Sequence, residues 1–418
     1  MSSQKAVSTL ALLREHARLV LSGFFLIFFS VFGQTIFIGA YIGDIRQTFD
    51  LSQSEISAMY MVGTVLSAVS LVFVGKLVDI MKETYVLYGA LVFLAAGCLL
   101  MAWTPYALLI PVSFFLLRQC GQGLMPLVSN TCINRYIENG RGRATAFAGL
   151  GASAHVAIFP AIALIMKDYF TWQQSWMMFA GFIIVALIPF FFIFFLTHDK
   201  RRAAHEAALT AREKANEKHE HDIHLTPDKN QKDVLTDLRF YILVAVMVIV
   251  PLFFTAIMFF QEQIAISSNV SHEAFVAGFI FLTIASVFGN LSSGFIMDYL
   301  GEVLMLCVTP VLFGLGLVCF IQADNLIWVY TAFIFTGLSM GIAGTLGGPI
   351  VAKLFGTKYL GSVKSMLSAV MVLGTAASPL YAGVLMDHGY SMDFVLMTFL
   401  GYTVAAWLLL IASLKMFR

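Results

Sequence analysis

Long apolar stretches alternate with short polar breaks along almost the whole chain. They fall at 19–42, 56–74, 84–103, 106–133, 144–165, 173–196, 240–262, 274–293, 302–322, 326–352, 362–384 and 392–415. A helix needs about 20 such residues to cross a bilayer, so each stretch reads as a membrane span. The predicted class is an all-α membrane protein with twelve transmembrane helices. An even count returns both chain ends to one side. The first stretch follows Lys5, Arg14, Glu15 and Arg18 and is too long for the apolar core of a cleaved signal, so it reads as a retained span.

One region breaks the pattern. Residues 197–239 are polar and rich in Ala, Glu and Lys, the composition of a solvated linker with some helical tendency. His219, His221 and His224 with Glu220 and Asp222 fit such a linker better than a metal site, and neither a metal nor a cofactor is expected. The expected organisation is an N-terminal segment 1–18, a six-helix bundle 19–196, the linker 197–239 and a second six-helix bundle 240–418.

The halves repeat. Gly75-Lys-Leu-Val-Asp79 closes the second span, and Gly294-Phe-Ile-Met-Asp298 closes the eighth, 219 residues later. Pro160 in the fifth span and Pro379 in the eleventh share that offset of 219. Two independent landmarks at one spacing point to an internal duplication, with a solute site near the midplane between the halves.

Composition agrees with lipid as the solvent. Hydrophobic residues make up 59% of the 418 and charged residues 12%, against about 25% charged in ordinary soluble domains. The formal net charge of +1 gives no argument for nucleic acid. Cys98, Cys120, Cys132, Cys307 and Cys319 all lie in apolar runs without ligand spacing, and read as small core residues. Lys and Arg set the orientation. Lys76, Lys82, Arg135, Arg141, Arg143, the long linker, Lys353, Lys358 and Lys364 share a side with the termini, while only Arg46 and Lys167 lie opposite. The termini and linker are therefore expected in the cytoplasm, the protein being multi-pass in a bacterial cytoplasmic membrane.

These landmarks resemble the major facilitator superfamily over essentially the whole chain. Its signature between the second and third helices, G-x-L-x-D-x-x-G-R/K-R/K, is met by Gly75, Leu77 and Asp79, while Lys82 after Met81 falls at the second Gly position and Glu83 at the first basic one. In the second half Gly294, Asp298 and Gly301 match without the basic residues. The resemblance implies a fold of two pseudo-symmetric six-helix bundles. It also implies a gating role for Gly75, Asp79, Lys82, Arg143, Gly294 and Asp298, the carboxylates resting near helix N-termini. Leu117-Arg118-Gln119-Cys120-Gly121-Gln122-Gly123, R-x-x-G-x-G, is similar to the family's R-x-x-x-G-x-G pattern on the fourth helix but one residue shorter. Phe355-Gly356-Thr-Lys358-Tyr359-Leu360-Gly361 resembles the loop of the monocarboxylate and oxalate/formate branch. The charged residues that animal monocarboxylate carriers place in the first and eighth helices are missing here.

Charge inside a membrane is costly, so ionisable residues in spans are candidates by default. Arg118 stands about 13 residues, roughly 20 Å, from one end of the fourth span, and His155 about 11 residues, roughly 17 Å, from the other end of the fifth. Both are expected near mid-depth, in reach of a common cavity. A guanidinium is a permanent planar fork for a carboxylate; it could equally be a structural post on Gln34 or helix carbonyls. A histidine titrates in the working range, with an ordinary pKa of about 6.5, or simply packs between helices. Gln34, Tyr60, Gln122, Asn130, Gln261 and Asn290 are further polar positions, Gln34 and Gln261 at comparable places in the first and seventh helices. Glu262 is a proton carrier only if the seventh helix begins late.

No nucleotide-binding loop is present, and the G-P pair followed by G-G of antiporter fifth helices is not met around Pro160. The leading expectation is a monomeric secondary carrier, not an enzyme, importing a small organic anion with protons. Substrate contacts would be Arg118, Gln34, Tyr60, Gln122, Gln261 and Asn290, and proton coupling would fall to His155 and Glu262. The alternatives are an exporter or exchanger of a larger compound such as a drug, siderophore or metabolite, and a transporter-like sensor.

Overall fold

The computed structural model describes residues 9–75, 77–137, 141–196, 202–203, 229–356 and 360–417. The linker histidines, the tip of the loop at 357–359 and the first eight residues lie outside them, as do the side chains of Asp79, Arg143 and Asp298.

Among the described residues, twelve helices are long and apolar enough to cross a membrane: His16–Thr48, Gln53–Leu71, Glu83–Ala102, Ala107–Ile133, Ala144–Tyr169, Trp172–Phe195, Leu238–Phe259, His272–Gly294, Glu302–Ile321, Leu326–Phe355, Met366–Asp387 and Met392–Ala412. Helices are what this composition allows, because each satisfies its own backbone in hydrocarbon. Side-chain caps fix several starts. Thr171 and Gln174 form a reciprocal capping box at the sixth span, Asn325 caps the tenth and Ser391 the twelfth.

Helix boundaries repeat at the offset that the Asp and Pro landmarks show. The helix starts Gln53 and His272, Glu83 and Glu302, Ala107 and Leu326, Arg141 and Leu360 are each 219 apart. The helix ends Thr48 and Ser267, Ala102 and Ile321 keep the same spacing. The duplication therefore runs from the first span to the eleventh without an insertion at any of these boundaries.

By packing, the chain forms two compact units. One comprises 1–37, 66–155 and 166–222, and the other 38–65, 156–165 and 223–418. The first is cored by an aromatic stack between the first and sixth spans. Phe37 meets Trp176 edge-on at 5.7 Å and Phe179 at 5.1 Å, while Phe32 lies 5.5 Å from Phe179. The second unit is cored by the eighth, ninth and tenth spans, where Phe333 touches Phe275, Phe279 and Phe320. The distal ends of the first, second and fifth spans pack within this second unit.

Candidate functional site

The first span is not one helix. It runs helical from Thr9 to Phe29, tightens to a 3-10 turn at Ser30–Gly33, is extended at Gln34 (φ −86°, ψ 144°), and resumes at Thr35–Thr48. Opposite this break the fourth span widens into a π-helical stretch, Arg118–Leu124. Irregular turns of this kind free backbone groups and recur at functional sites. Glycine lets the two irregularities meet. A Cβ on Gly33 would overlap the Leu117 carbonyl oxygen, and one on Gly121 would lie 2.6 Å from the Gly33 nitrogen.

Polar side chains gather along this contact, all within the first unit. The Arg118 guanidinium, 3% exposed, donates from Nη1 to the Thr35 hydroxyl at 3.0 Å. Beside Thr35, Gln34 donates from Nε2 to the Ser30 hydroxyl at 3.3 Å, and Ser30 donates to the Ile27 carbonyl at 2.7 Å. The same carbonyl lies 3.1 Å from Nδ1 of His155, which is 5% exposed. A carbonyl oxygen can only accept, so Nδ1 carries the hydrogen and Nε2 is the nitrogen left to take a proton. Residues 27–35 of the first span thus thread Arg118 on the fourth span to His155 on the fifth. Gln122, half-buried, sits beside Gly33, its backbone nitrogen 2.9 Å from where a Cβ there would stand.

Two details go beyond the sequence reading. The neutral partner of Arg118 is Thr35, one residue past the Gln34 considered from the sequence. Gln119 is also buried, accepting through Oε1 from Ser67 at 3.2 Å. Nothing in a single sequence marks Gln119 apart from its neighbours; its facing depends on the π-helical turn.

The second unit holds the other candidates. The seventh span breaks at Phe260 (φ −103°, ψ 32°) between Ile249–Phe259 and Gln261–Ser267. Gln261 is fully buried just past the break, and Glu262 is half-buried beyond the membrane-spanning stretch. Gln34 and Gln261 both adjoin helix breaks, but the offset of 219 sets Gln261 against Ile42 rather than Gln34. Tyr60 is fully buried, its ring 4.9 Å from Phe259. Asn290 is exposed and its amide faces the tenth span near Gly344.

The gating signature is occupied in an unforeseen way. Gly75 forms the turn between Gln53–Val74 and the short helix Leu77–Ile80, and the Lys82 ammonium lies 5.8 Å from the Tyr85 ring centre. Gly294 lies inside the eighth-span helix. Glu83, which breaks the basic position of the motif, is fully buried and paired with Arg135 and, at 3.3 Å, Arg202. The Tyr136 hydroxyl donates to the same carboxylate at 2.8 Å. Burial first, and Glu83 second, push the Tyr136 hydroxyl above its ordinary pKa. Burial works against the Arg135 cation, but the Glu83 carboxylate more than offsets it and the pKa is raised. At the duplicated position Glu302 pairs with Lys353 at 3.1 Å. The recurrence of Glu at 83 and 302, 219 residues apart, is a signal the sequence reading passed over.

Comparison with known proteins agrees with this architecture. The Major Facilitator Superfamily model matches residues 23–363. No curated protein matches by sequence. Among solved structures, the nucleoside transporter NupG superposes with a TM-score of 0.68 at 14% identity, covering 96% of this chain and 98% of that one. A bacterial homolog of the human lysosomal transporter Spinster, inward-facing and occupied, gives 0.65 at 12% identity, with 97% and 96% coverage. At these identities the structures speak for the fold alone, while the sequence model covers most of the chain: it belongs to the major facilitator superfamily.

Proposed function

We propose that this chain is a proton-coupled importer of a small organic anion, a carboxylate being the class that suits Arg118. Members of the superfamily are secondary transporters that carry small molecules across membranes by alternating access, and are generally not enzymes. The bundles 19–196 and 240–418 would rock about the solute, with 197–239 as a cytoplasmic linker. The protein would act as a monomer in a bacterial cytoplasmic membrane, both termini inside.

One observation carries the reading: a buried guanidinium stands on a π-helical turn, against the break of the first span, on a polar thread that ends at His155. Burying a permanent cation in a span is expensive unless it does something there. A carboxylate fits its planar fork. His155 Nε2 would take the accompanying proton, so that solute and proton load the cavity with little net charge. Gln34 and Gln122 are assigned to solute contacts beside Arg118. Tyr60, Gln261 and Asn290 are assigned to further solute contacts, while Glu262 takes no proton role, because the seventh span already begins at Leu238. Gating is assigned to Gly75, Asp79, Lys82, Arg143, Gly294 and Asp298.

Uptake into proteoliposomes under an imposed proton gradient tests this, using a panel of radiolabelled carboxylates. Nucleosides, the cargo named for one structural relative, form the comparison arm. Carboxylate uptake that needs the gradient and disappears in Arg118→Ala and Arg118→Lys is the expected result. Undiminished transport in Arg118→Ala would remove the anion-binding role, and nucleoside uptake without carboxylate uptake would replace the substrate class.

A further inference from the structure

Within the second unit, positions related by the duplication touch each other. A Cβ on Gly39 would overlap the carbonyl oxygen of Met258, and one on Gly43 would overlap the Glu262 carboxylate. Residues 39 and 258, and 43 and 262, are each 219 apart. Equivalent positions of two repeats meet where a two-fold axis relates them, as in an isologous interface. Two large side chains cannot share such a place. The chain resolves the crowding with Gly39-x-x-x-Gly43 on the first span, the small-residue spacing that lets helices approach backbone to backbone.

A second contact lies at the same end of this unit. Asp387, the last residue of the eleventh-span helix, accepts from the backbone N–H of Gln53 at 3.0 Å and of Ser54 at 2.7 Å. These are the first two residues of the Gln53–Val74 helix. The first N–H groups of a helix have no partner inside it. Locally, Ser52 and Glu55 cap each other: the Ser52 hydroxyl accepts from Glu55 N–H, and the Glu55 carboxylate accepts from Ser52 N–H. That box leaves Gln53 and Ser54 for an outside acceptor, and Asp387 takes both. One turn earlier Gly383 keeps the eleventh helix close, since a Cβ there would stand 2.6 Å from the Gln53 carbonyl.

The first and second spans belong to one duplicated half, and the seventh and eleventh to the other. A rocking of one duplicated half against the other that opened this end would separate Gly39 from Met258 and Gln53 from Asp387. We propose that Asp387 is a conformational latch: by capping the second-span helix from across the duplication, it holds this end of the carrier shut, and its loss shifts the carrier toward the state open there. The glycine seam allows the approach, and the carboxylate makes it favourable. A carboxylate at a helix N-terminus with two charge-assisted bonds is worth on the order of a tenfold shift in such an equilibrium. The latch depends on neither the identity of the solute nor the role of Arg118, and its test needs no solute.

The test uses the full chain in proteoliposomes with its five cysteines replaced and a single reporter, Thr64→Cys. Thr64 is 2% exposed and lies on the second span beyond the latch. A membrane-impermeant maleimide reports opening. Gly39→Leu, which must force the seam apart, calibrates the fully open rate. Asp387→Asn removes the charge. Gln53→Pro removes one donor at the first helical position, where proline is well tolerated, so it probes the latch from the other side without disturbing Asp387. Labelling about tenfold faster in both variants, with Asp387→Glu between them and the parent, is expected. Parent-like labelling in Asp387→Asn and Gln53→Pro, with Gly39→Leu still fast, overturns the proposal. Should Asp387→Asn fail to fold, Gln53→Pro decides alone.

Discussion

The fourth and tenth spans are one element present twice, and they differ where a transporter has reason to differ. At the offset of 219, Arg118 corresponds to Gly337, Gln119 to Leu338, Gln122 to Gly341, and His155 on the fifth span to Gly374. The tenth-span glycines are structural. A Cβ on Gly337 would overlap the Leu282 carbonyl, and one on Gly341 would overlap that of Ser286. There the tenth helix stays regular from Leu326 to Phe355, and the eighth and tenth spans lock backbone to backbone. The fourth span instead carries a π-helical turn and a row of polar side chains against a broken first span. The repeat is built both ways, and Arg118, Gln122 and His155 belong to one copy only. A charge buried in a span is costly, and the solute role proposed for Arg118 predicts that folding survives without it.

The sharpest way to break this comparison is to make the fourth span resemble the tenth. Arg118→Gly should leave folded protein, judged by monodisperse elution and thermal unfolding, while uptake falls about 100-fold or more, the loss of one charge-assisted interaction of roughly 3 kcal/mol. The reverse change, Gly341→Gln, should destroy folded yield because its side chain meets the Ser286 carbonyl and the Asn290 nitrogen. An Arg118→Gly protein that unfolds rather than stops transporting would make Arg118 a post of the first bundle. A Gly341→Gln protein that folds would show that the tenth-span seam is slack.

Much of this contrast was legible in the sequence, and its limits have physical causes. Spans, duplication and the two intramembrane ionisable residues follow from hydropathy and spacing, because lipid enforces helices and makes charges conspicuous. The superfamily resemblance follows from Gly75, Asp79 and the fourth-span pattern, and the family match agrees with it. The finer branch suggested by Phe355–Gly361 is not confirmed by the family match, which speaks for the superfamily alone. What hydropathy could not supply is facing. Thr35 rather than Gln34 holds Arg118 because an extended residue at 34 turns the next helix, and Gln119 is buried because a π-helical turn rotates it toward Ser67. Glu83 reads from the sequence only as a departure from a motif; that the acids at 83 and 302 both have basic partners is visible only in the packing.

A smaller effect, on coupling rather than binding, sharpens the comparison at the fifth and eleventh spans, where His155 stands against Gly374. His155→Gln keeps an N–H donor for the Ile27 carbonyl but cannot take a proton. Solute exchange down its own gradient should survive, while proton-driven accumulation collapses to the level of equilibration. Counterflow and gradient-driven uptake, measured on the same proteoliposomes, separate the two. Equal loss of both would make His155 a packing residue, and the thread from Arg118 would then carry no proton.

The smallest difference is expected between the two acids that open the third and ninth spans. Glu83 is fully buried with Arg135, Arg202 and Tyr136 around it, whereas Glu302 is 28% exposed and, among the described residues, pairs with Lys353. Removing one member of a buried charged cluster leaves the others desolvated without compensation, while an exposed pair is already screened by water. Glu83→Gln should therefore cost about 3 kcal/mol of stability, and Glu302→Gln less than about 1 kcal/mol. Both can be read from thermal unfolding in detergent. Arg202 follows the sixth span, so part of the Glu83 effect comes from untying the start of the linker. Combining Arg202→Ala with Glu83→Gln separates that part, because a shared interaction makes the double variant less costly than the sum of the singles. Additive losses would mean that Glu83 acts through Arg135 and Tyr136 alone, and the two acids would then differ in burial but not in what they hold.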